Sequence, residues 1–321
     1  MWRRWPAANL ARVVSRLSLL AVPTLTEACG APRVDLPAPV NAEHYRFTVG
    51  SFEYVAVLDG TNNYRGERFF PNVLPDSLRP ALVAHGIRSA DSIASTFTAL
   101  AVRDRDGKGP WTLLDTGLGD FSPTAGRLVR NLAAAGIMPG DIARVILTHA
   151  HPDHVGGTVT PAGAVAFVNA TYIASKAEWD FWTDSVRLSS LTGVRADAVR
   201  RRFIPVRDRM RLVTADTEVA PGIRLLAVPG HTPGHLAVLA GVGRERVLFL
   251  GDAVLHPIHL EHPEWPNLYD ENASEARQTR AALLNRASDE GLLVLAYHFF
   301  PFPSLGRVTR AGDHWHWEPV R

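Results

Sequence analysis

The sequence predicts an α+β fold, in which short buried strands mix with amphipathic helices after a strand-rich beginning. Runs such as Ile223–Val228 are apolar, short and closed by proline or glycine, which marks buried strands. Other stretches, such as Ser274–Glu290, repeat apolar residues at helical spacing, with Ala281, Leu284 and Ala287 on one face. The two kinds of segment alternate along the chain.

In chain order, Arg3, Arg4 and Arg12 give a basic start, Leu17 to Leu25 is mostly apolar, and Ala28, Gly30 and Ala31 offer small residues for cleavage. Residues 1–31 are therefore expected to be a signal peptide or leader. Residues 32–42, with Pro32, Pro37 and Pro39, form an extended linker, and residues 43–321 form one domain. Arg16 interrupts an apolar run that is already too short to span a bilayer. Strands are expected at Phe52–Leu58, Phe97–Val102, Trp111–Leu114, Arg144–Leu147, Val165–Val168, Ile223–Val228, Arg246–Leu250 and Leu292–Tyr297. Helices are expected at Gly126–Ala135, with Gly136 as the stop, and at Ser175–Thr183, Arg195–Phe203 and Ser274–Glu290.

Chemistry concentrates where strands end. After Arg144–Leu147 comes Thr148-His149-Ala150-His151-Pro152-Asp153-His154-Val155-Gly156-Gly157. Pro152 and the glycine pair break regular structure, so these side chains fall on a loop. His149 and His151 can point the same way on extended chain and share one cation, with Asp153 and His154 beside a second. Imidazole with carboxylate suits zinc or a similar first-row ion. Three more strand ends carry His231 and His235, then Asp252, then His298. Surface histidines are the bland alternative, but packing does not explain a ligand type at each of several separate strand ends.

These residues resemble the metallo-β-lactamase fold hydrolases. The order His149-x-His151-x-Asp153-His154, His231, Asp252, His298 carries the resemblance, which covers roughly residues 45 to 310. Tyr45-Arg46-Phe47, Leu58-Asp59-Gly60 and the run His298–Gly306 are further similar to the methyl parathion hydrolase and lactonase-like branch. The resemblance implies an αββα sandwich of two mixed sheets flanked by helices. It implies two Zn2+ (or other first-row divalent ions) per chain. His149, His151 and His231 would hold one ion, Asp153, His154 and His298 the other, and Asp252 would bridge them. Asp153 and Asp252 are the expected catalytic carboxylates. His235 is expected to support rather than ligate. Asp115 either accepts a ligand histidine's second N–H or simply shapes the turn before Gly117.

The remaining signals are weaker. Trp179, Trp182, Phe300 and Phe302 belong either to the substrate pocket or to the core. The stretch His256–His262 is expected to line the pocket rim rather than hold a third metal, and His314 and His316 have no assigned partner. Tyr297 adjoins a ligand, but alternation along a strand turns it away. The arginines between Arg195 and Arg211 read as a solvated helix face.

With 321 residues, 46% of them hydrophobic, the chain can bury a sizeable core, and a net charge of +2 gives no electrostatic case for nucleic acid. The sole cysteine, Cys29, excludes an intramolecular disulfide. No Gly-x-Ser-x-Gly elbow offers a serine nucleophile. The expected activity is hydrolysis of a lactone or ester by a hydroxide held between two metals. Alternatives are an organophosphate triesterase on the same site, a mononuclear iron enzyme like persulfide dioxygenase, and a non-catalytic metal-binding protein. A true β-lactamase is disfavoured because a bridging Asp252 is foreign to that branch. The expected partner is a small-molecule substrate, without nucleic acid or stable membrane association, and a homodimer is compatible with the sequence. Export to the periplasm or beyond is expected, with cytoplasmic residence if the leader is not functional.

Overall fold

A computed structural model describes residues 43–106, 109–214 and 216–320. The leader and linker expectations lie outside the described residues. Two sheets of seven strands face each other. The first takes the N-terminal strands in sequence order: β1 (His44–Val49), β2 (Phe52–Tyr64), β3 (Ile93–Asp104), β4 (Trp111–Leu114), β5 (Ile142–Ile146), β6 (Thr171–Ser175) and β7 (Met210–Val213). Its first four strands are antiparallel neighbours and the rest run parallel. The second contains β8 (Glu218–Ala220), β9 (Ile223–Ala227), β10 (Leu236–Val242), β11 (Glu245–Phe249), β12 (Leu293–Leu295), β13 (Leu305–Ala311) and β14 (His314–Pro319), with one parallel pair, β11–β12. Both sheets are therefore mixed.

Period-two alternation sorts the strand residues into layers. Tyr54, Ala56, Leu100, Val102, Leu114, Ile146 and Ile173 meet Leu225, Val238, Val247, Phe249, Leu293 and Leu295 between the sheets. Their neighbours Val55, Val57, Ala99, Ala101, Val145 and Tyr172 face outward under Leu128, Leu132, Trp182 and Phe203. On the far side, Leu226, Leu239, Leu248 and Val294 pack beneath Leu283, Leu284 and Ala287 of the longest helix. Helix, sheet, sheet, helix is the resulting order.

Several boundaries differ from expectation. The run Val165–Val168 is not a strand. Val165 makes only an isolated bridge to Val159, while Phe167 is buried and Val168 exposed. The place beside β5 goes to Thr171–Ser175, whose threonine, tyrosine and isoleucine suit a pleated, buried surface. The helix expected from Gly126 starts at Leu128, because Gly126 has φ +81°, and Gly136 with φ +77° ends it. The expected helix Arg195–Phe203 is Gly193–Ala198 followed by one π-turn, Val199–Phe203. Arg202 departs from the solvated face: it is buried against Asp120 and lies over the Phe121 ring.

The stretch His256–His262 does not line a rim loop either. It contributes a one-turn helix, Ile258–Glu261, and His256 and His259 are buried against Phe69 and Phe70. Burial, then the charge of Arg280, pushes His259 down to about 3 from an ordinary 6.5. The unfolded chain therefore takes up a proton near pH 6.5 that the folded chain refuses, so stability falls as pH drops below that value. Between pH 7 and 5 this residue should cost about 2 kcal/mol. Urea unfolding of wild type and His259→Gln at both pH values checks it: the variant should show the smaller acid-induced loss. Among the described residues, no helix is long and apolar enough to cross a membrane.

Candidate metal centre

The site forms where the two sheets' strands end side by side. Beyond β5, His151 leads into a one-turn helix, Pro152–Val155, with Pro152 in its first turn, where a missing N–H costs nothing. That turn swings Asp153 and His154 back towards His149. The backbone N–H of Leu236 on β10 donates to the Thr148 carbonyl at 3.0 Å, tying this loop to the second sheet. His231 lies between β9 and β10, Asp252 follows β11 and His298 follows β12.

All seven expected ligands converge. One donor atom from each of His149, His151, His231 and Asp252 lies within 4.8 Å of the others, and Asp153, His154 and His298 form a second such group. His149 Nε2 and His231 Nε2 are each 3.0 Å from His151 Nδ1. Asp252 stands between the groups. Its Oδ2 is 3.2 Å from His231 Nε2 and 3.6 Å from His149 Nε2, its Oδ1 is 3.0 Å from His154 Nε2, and His298 Nε2 lies 3.2 Å from Oδ1 and 3.3 Å from Oδ2. Asp252 Oδ1 and His154 Nε2 are buried without a hydrogen-bond partner, despite their proximity. Buried polar atoms left unpaired are costly, and a bound cation would supply the partner these lack. The donor set fits two cations: imidazoles and carboxylates, three residues to each side of one bridging carboxylate.

Charges in the cluster are mutually dependent. Burial, and then the neighbouring histidines, push His149 and His151 well below 6.5. Burial also opposes a proton on His231, but hydrogen bonds to Asp252 and Asp270 outweigh it and raise this group to about 9. His154 is likewise raised, its burial overcome by Asp252, Asp115 and Asp153.

A surrounding layer orients the ligands. Asp115, a left-handed residue with φ +60°, both shapes its turn and places Oδ2 2.7 Å from His154 Nδ1. Thr148 donates to the same carboxylate through N and Oγ1, each at 2.8 Å. His235 has both ring nitrogens engaged by backbone: Nε2 accepts from the Asp252 N–H at 2.9 Å, and Nδ1 lies 3.2 Å from the Val228 carbonyl. Neither nitrogen is free for a metal. Burial, then the charge of His231, lowers it to about 3, so it is neutral.

Several supporting residues escaped the sequence reading. Asp270 accepts from His231 Nδ1 at 3.0 Å, and Ser95 Oγ and the Thr96 carbonyl lie 3.1 and 3.0 Å from His298 Nδ1. The buried carboxylate of Glu178 accepts from Ala150 N (2.8 Å), Trp182 Nε1 (2.6 Å), Thr232 Oγ1 (2.6 Å) and Gly234 N (3.1 Å). It thereby joins the two loops that carry His149, His151 and His231. Tyr64 is raised well above 10 by burial and then by Asp153; Tyr269, its ring 6.3 Å away, is raised by burial too. None of these has a local motif, so no signal in the sequence singled them out.

The aromatics divide between core and site. Trp182 is fully buried with its ring 5.7 Å from His151, and Trp179 packs on Phe203. Phe302 packs against the core between the sheets, and Phe300 is 55% exposed. Tyr297 is buried with its ring 4.2 Å from His154, and its hydroxyl donates to the Asp153 carbonyl at 2.5 Å. His314 pairs with Asp313, and His316 lies 3.6 Å from Glu261.

The family model of the metallo-beta-lactamase superfamily matches residues 98–298, from β3 through the last ligand. The chain belongs to the metallo-beta-lactamase superfamily. Among relatives in this superfamily, an N-acyl homoserine lactonase of Bacillus sp. is 31% identical over 113 residues, 35% of this chain. The match spans only 38% of that relative's length. A protein of Mycobacterium tuberculosis named as a probable metallo-hydrolase is 26% identical over 74% of this chain and 86% of its own length. Among solved structures, hydrolase AbOPH superimposes with a TM-score of 0.80 at 26% identity, covering 88% of this chain and 98% of that one. AidC, a dizinc quorum-quenching lactonase seen with N-hexanoyl-L-homoserine, gives 0.78 at 25% identity, covering 87% and 98%. The methyl parathion hydrolase branch is not singled out by these matches.

Proposed function

We propose that the protein is a dinuclear metal-dependent hydrolase of lactones or esters, with zinc as the metal and N-acyl homoserine lactones as the first class to test. The observation that carries this is Asp252, whose buried carboxylate stands between the two histidine sets, with imidazole nitrogens of both sets 3.0 to 3.6 Å from its oxygens. His149, His151 and His231 would hold one ion, Asp153, His154 and His298 the other, and Asp252 both. Two ions so placed supply an activated water and Lewis acidity for a carbonyl oxygen. The lactone class is supported by the lactonases among the similar proteins and by AidC with its lactone-derived product.

The chain's own groups do the rest. Asp153 is the most open of the seven, with its side chain 16% exposed, and its Oδ2 is 3.4 Å from His298 Nε2. A carboxylate at that edge can take the proton of the attacking water and return it to the departing ring oxygen. Tyr297 holds the Asp153 backbone, so the carboxylate keeps its aim. Asp115, Asp270 and the Thr96 carbonyl orient the imidazoles and fix their tautomers.

Metal analysis with a substrate panel tests the proposal. The purified chain should carry about two first-row ions, and chelation should abolish lactone opening. The panel should hold homoserine lactones, aryl esters, phosphotriesters and a β-lactam, with lactones or esters turned over fastest. One iron per chain with oxygen consumption would overturn the hydrolase assignment. Faster turnover of a phosphotriester would replace the substrate class.

A further inference from the structure

Arg280 sits on the helix Ala273–Asp289, on the face that packs against the second sheet, and is 1% exposed. Helical spacing marks that face by Ala281, Leu284 and Ala287, and an arginine beside them is unexpected. Burying a guanidinium is costly, and replacing a buried ion pair by apolar residues is often neutral or stabilising. A role in packing alone therefore does not account for it.

Its contacts lead to the metal centre from two sides. Nη2 donates to Asp270 Oδ2 at 3.2 Å, and Asp270 Oδ1 accepts from His231 Nδ1 at 3.0 Å. Nε donates at 2.8 Å to the carbonyl of Ala253, the residue after Asp252. Nη1 reaches the carbonyls of Pro263 and Trp265 at 3.4 and 3.5 Å, anchoring the loop that leads to Asp270. The Asp252 N–H is held by His235 Nε2, so the chain is fixed at Asp252 and again at the following residue. One planar group thus spans the carboxylate behind His231 and the backbone behind Asp252.

We propose that Arg280 and Asp270 form a positioning pair that sets the spacing between His231 and Asp252, and so holds the ion of the His149, His151 and His231 set. The proposal rests on the dinuclear reading above. A lysine cannot replace this function, because a compact ammonium lacks the rigid fork that reaches two acceptors in fixed directions.

The test compares wild type with Arg280→Met, Arg280→Lys and the double variant Asp270→Asn/Arg280→Met. Each is measured for the melting temperature of the metal-free protein, for zinc affinity and stoichiometry, and for the visible spectrum with cobalt. Arg280→Met alone leaves the buried Asp270 Oδ2 without its guanidinium partner, with the His231 contact kept at Oδ1, and should lower the melting temperature. The double variant removes both charges and should recover it. In the double variant and in Arg280→Lys, one ion should still bind about 10–100-fold more weakly. The cobalt spectrum of the ion that remains should match that of His231→Ala, which marks the loss as the His149 set. Wild-type affinity for both ions in either folded variant overturns the positioning role and leaves the hydrolase reading intact. A wild-type chain that binds no metal overturns the dinuclear reading, and this proposal with it.

Discussion

Replacing His231 by alanine is expected to strip one metal and nearly all activity, whereas His235→Ala keeps both ions. The two imidazoles belong to one Pro-Gly-His-Thr-Pro-Gly-His run, four residues apart, and residue type does not separate them. Their hydrogen bonds do. His231 turns Nε2 to within 3.2 Å of Asp252 Oδ2 and 3.0 Å of His151 Nδ1, while its far nitrogen rests on Asp270. Removing it deletes a ligand from a buried cluster and leaves the Asp270 carboxylate facing the gap. His235 offers the cluster nothing directly; its alanine variant leaves the Asp252 N–H without an acceptor, a loss of about 1–3 kcal/mol for a buried donor. A rate loss of roughly 10–100-fold at unchanged stoichiometry is the expected outcome. Metal content and turnover of both variants decide the matter, and the reverse pattern of metal loss would exchange the two assignments.

Asp252→Ala should have the largest effect of any single carboxylate change. Its two oxygens face both histidine sets, so the variant loses a ligand to each ion and the link that keeps the ions adjacent. Occupancy should fall from two ions to one or fewer, and turnover should fall below that of His235→Ala. Asp252→Asn separates charge from shape: it keeps the bulk but not the charge, and should retain more metal than alanine with little activity. Two tightly held ions and full turnover in Asp252→Ala would remove the bridging role.

How much could be read in advance differs between the ligands and their surroundings. His149, His151, Asp153, His154, His231, Asp252 and His298 were legible because metal binding demands particular side chains, and the turns that end strands at 146, 227, 249 and 295 are written locally. Asp270, Glu178 and Arg280 were not. Each supports a ligand through a contact made across 27 to 56 positions of sequence, and acidic or basic residues on helices and loops are ordinary by themselves. Two secondary-structure expectations failed for related reasons. Val165–Val168 has the composition of a strand, but the neighbouring place beside β5 is taken by Thr171–Ser175. His256–His262, rich in imidazole, reads as a loop at the pocket rim, yet it contributes a one-turn helix, and His256 and His259 pack inside against Phe69 and Phe70.

The sequence by itself determined the α+β class, the alternation that places each strand's side chains, and the histidines and aspartates at strand ends that could hold metal, while the choice of seven among them came from the family resemblance. These depend on properties of short segments: period, turn chemistry and the donor atoms of histidine and aspartate. Tertiary structure alone decided that the loop after β5 meets β10 through Thr148 and Leu236 and that His235 spends both nitrogens on backbone, and it brought Asp252 between the two histidine sets as the resemblance implied. It also decided that an arginine on the long helix would be buried behind two ligands. Those outcomes depend on how two sheets pack, and packing brings together atoms whose proximity no local pattern records.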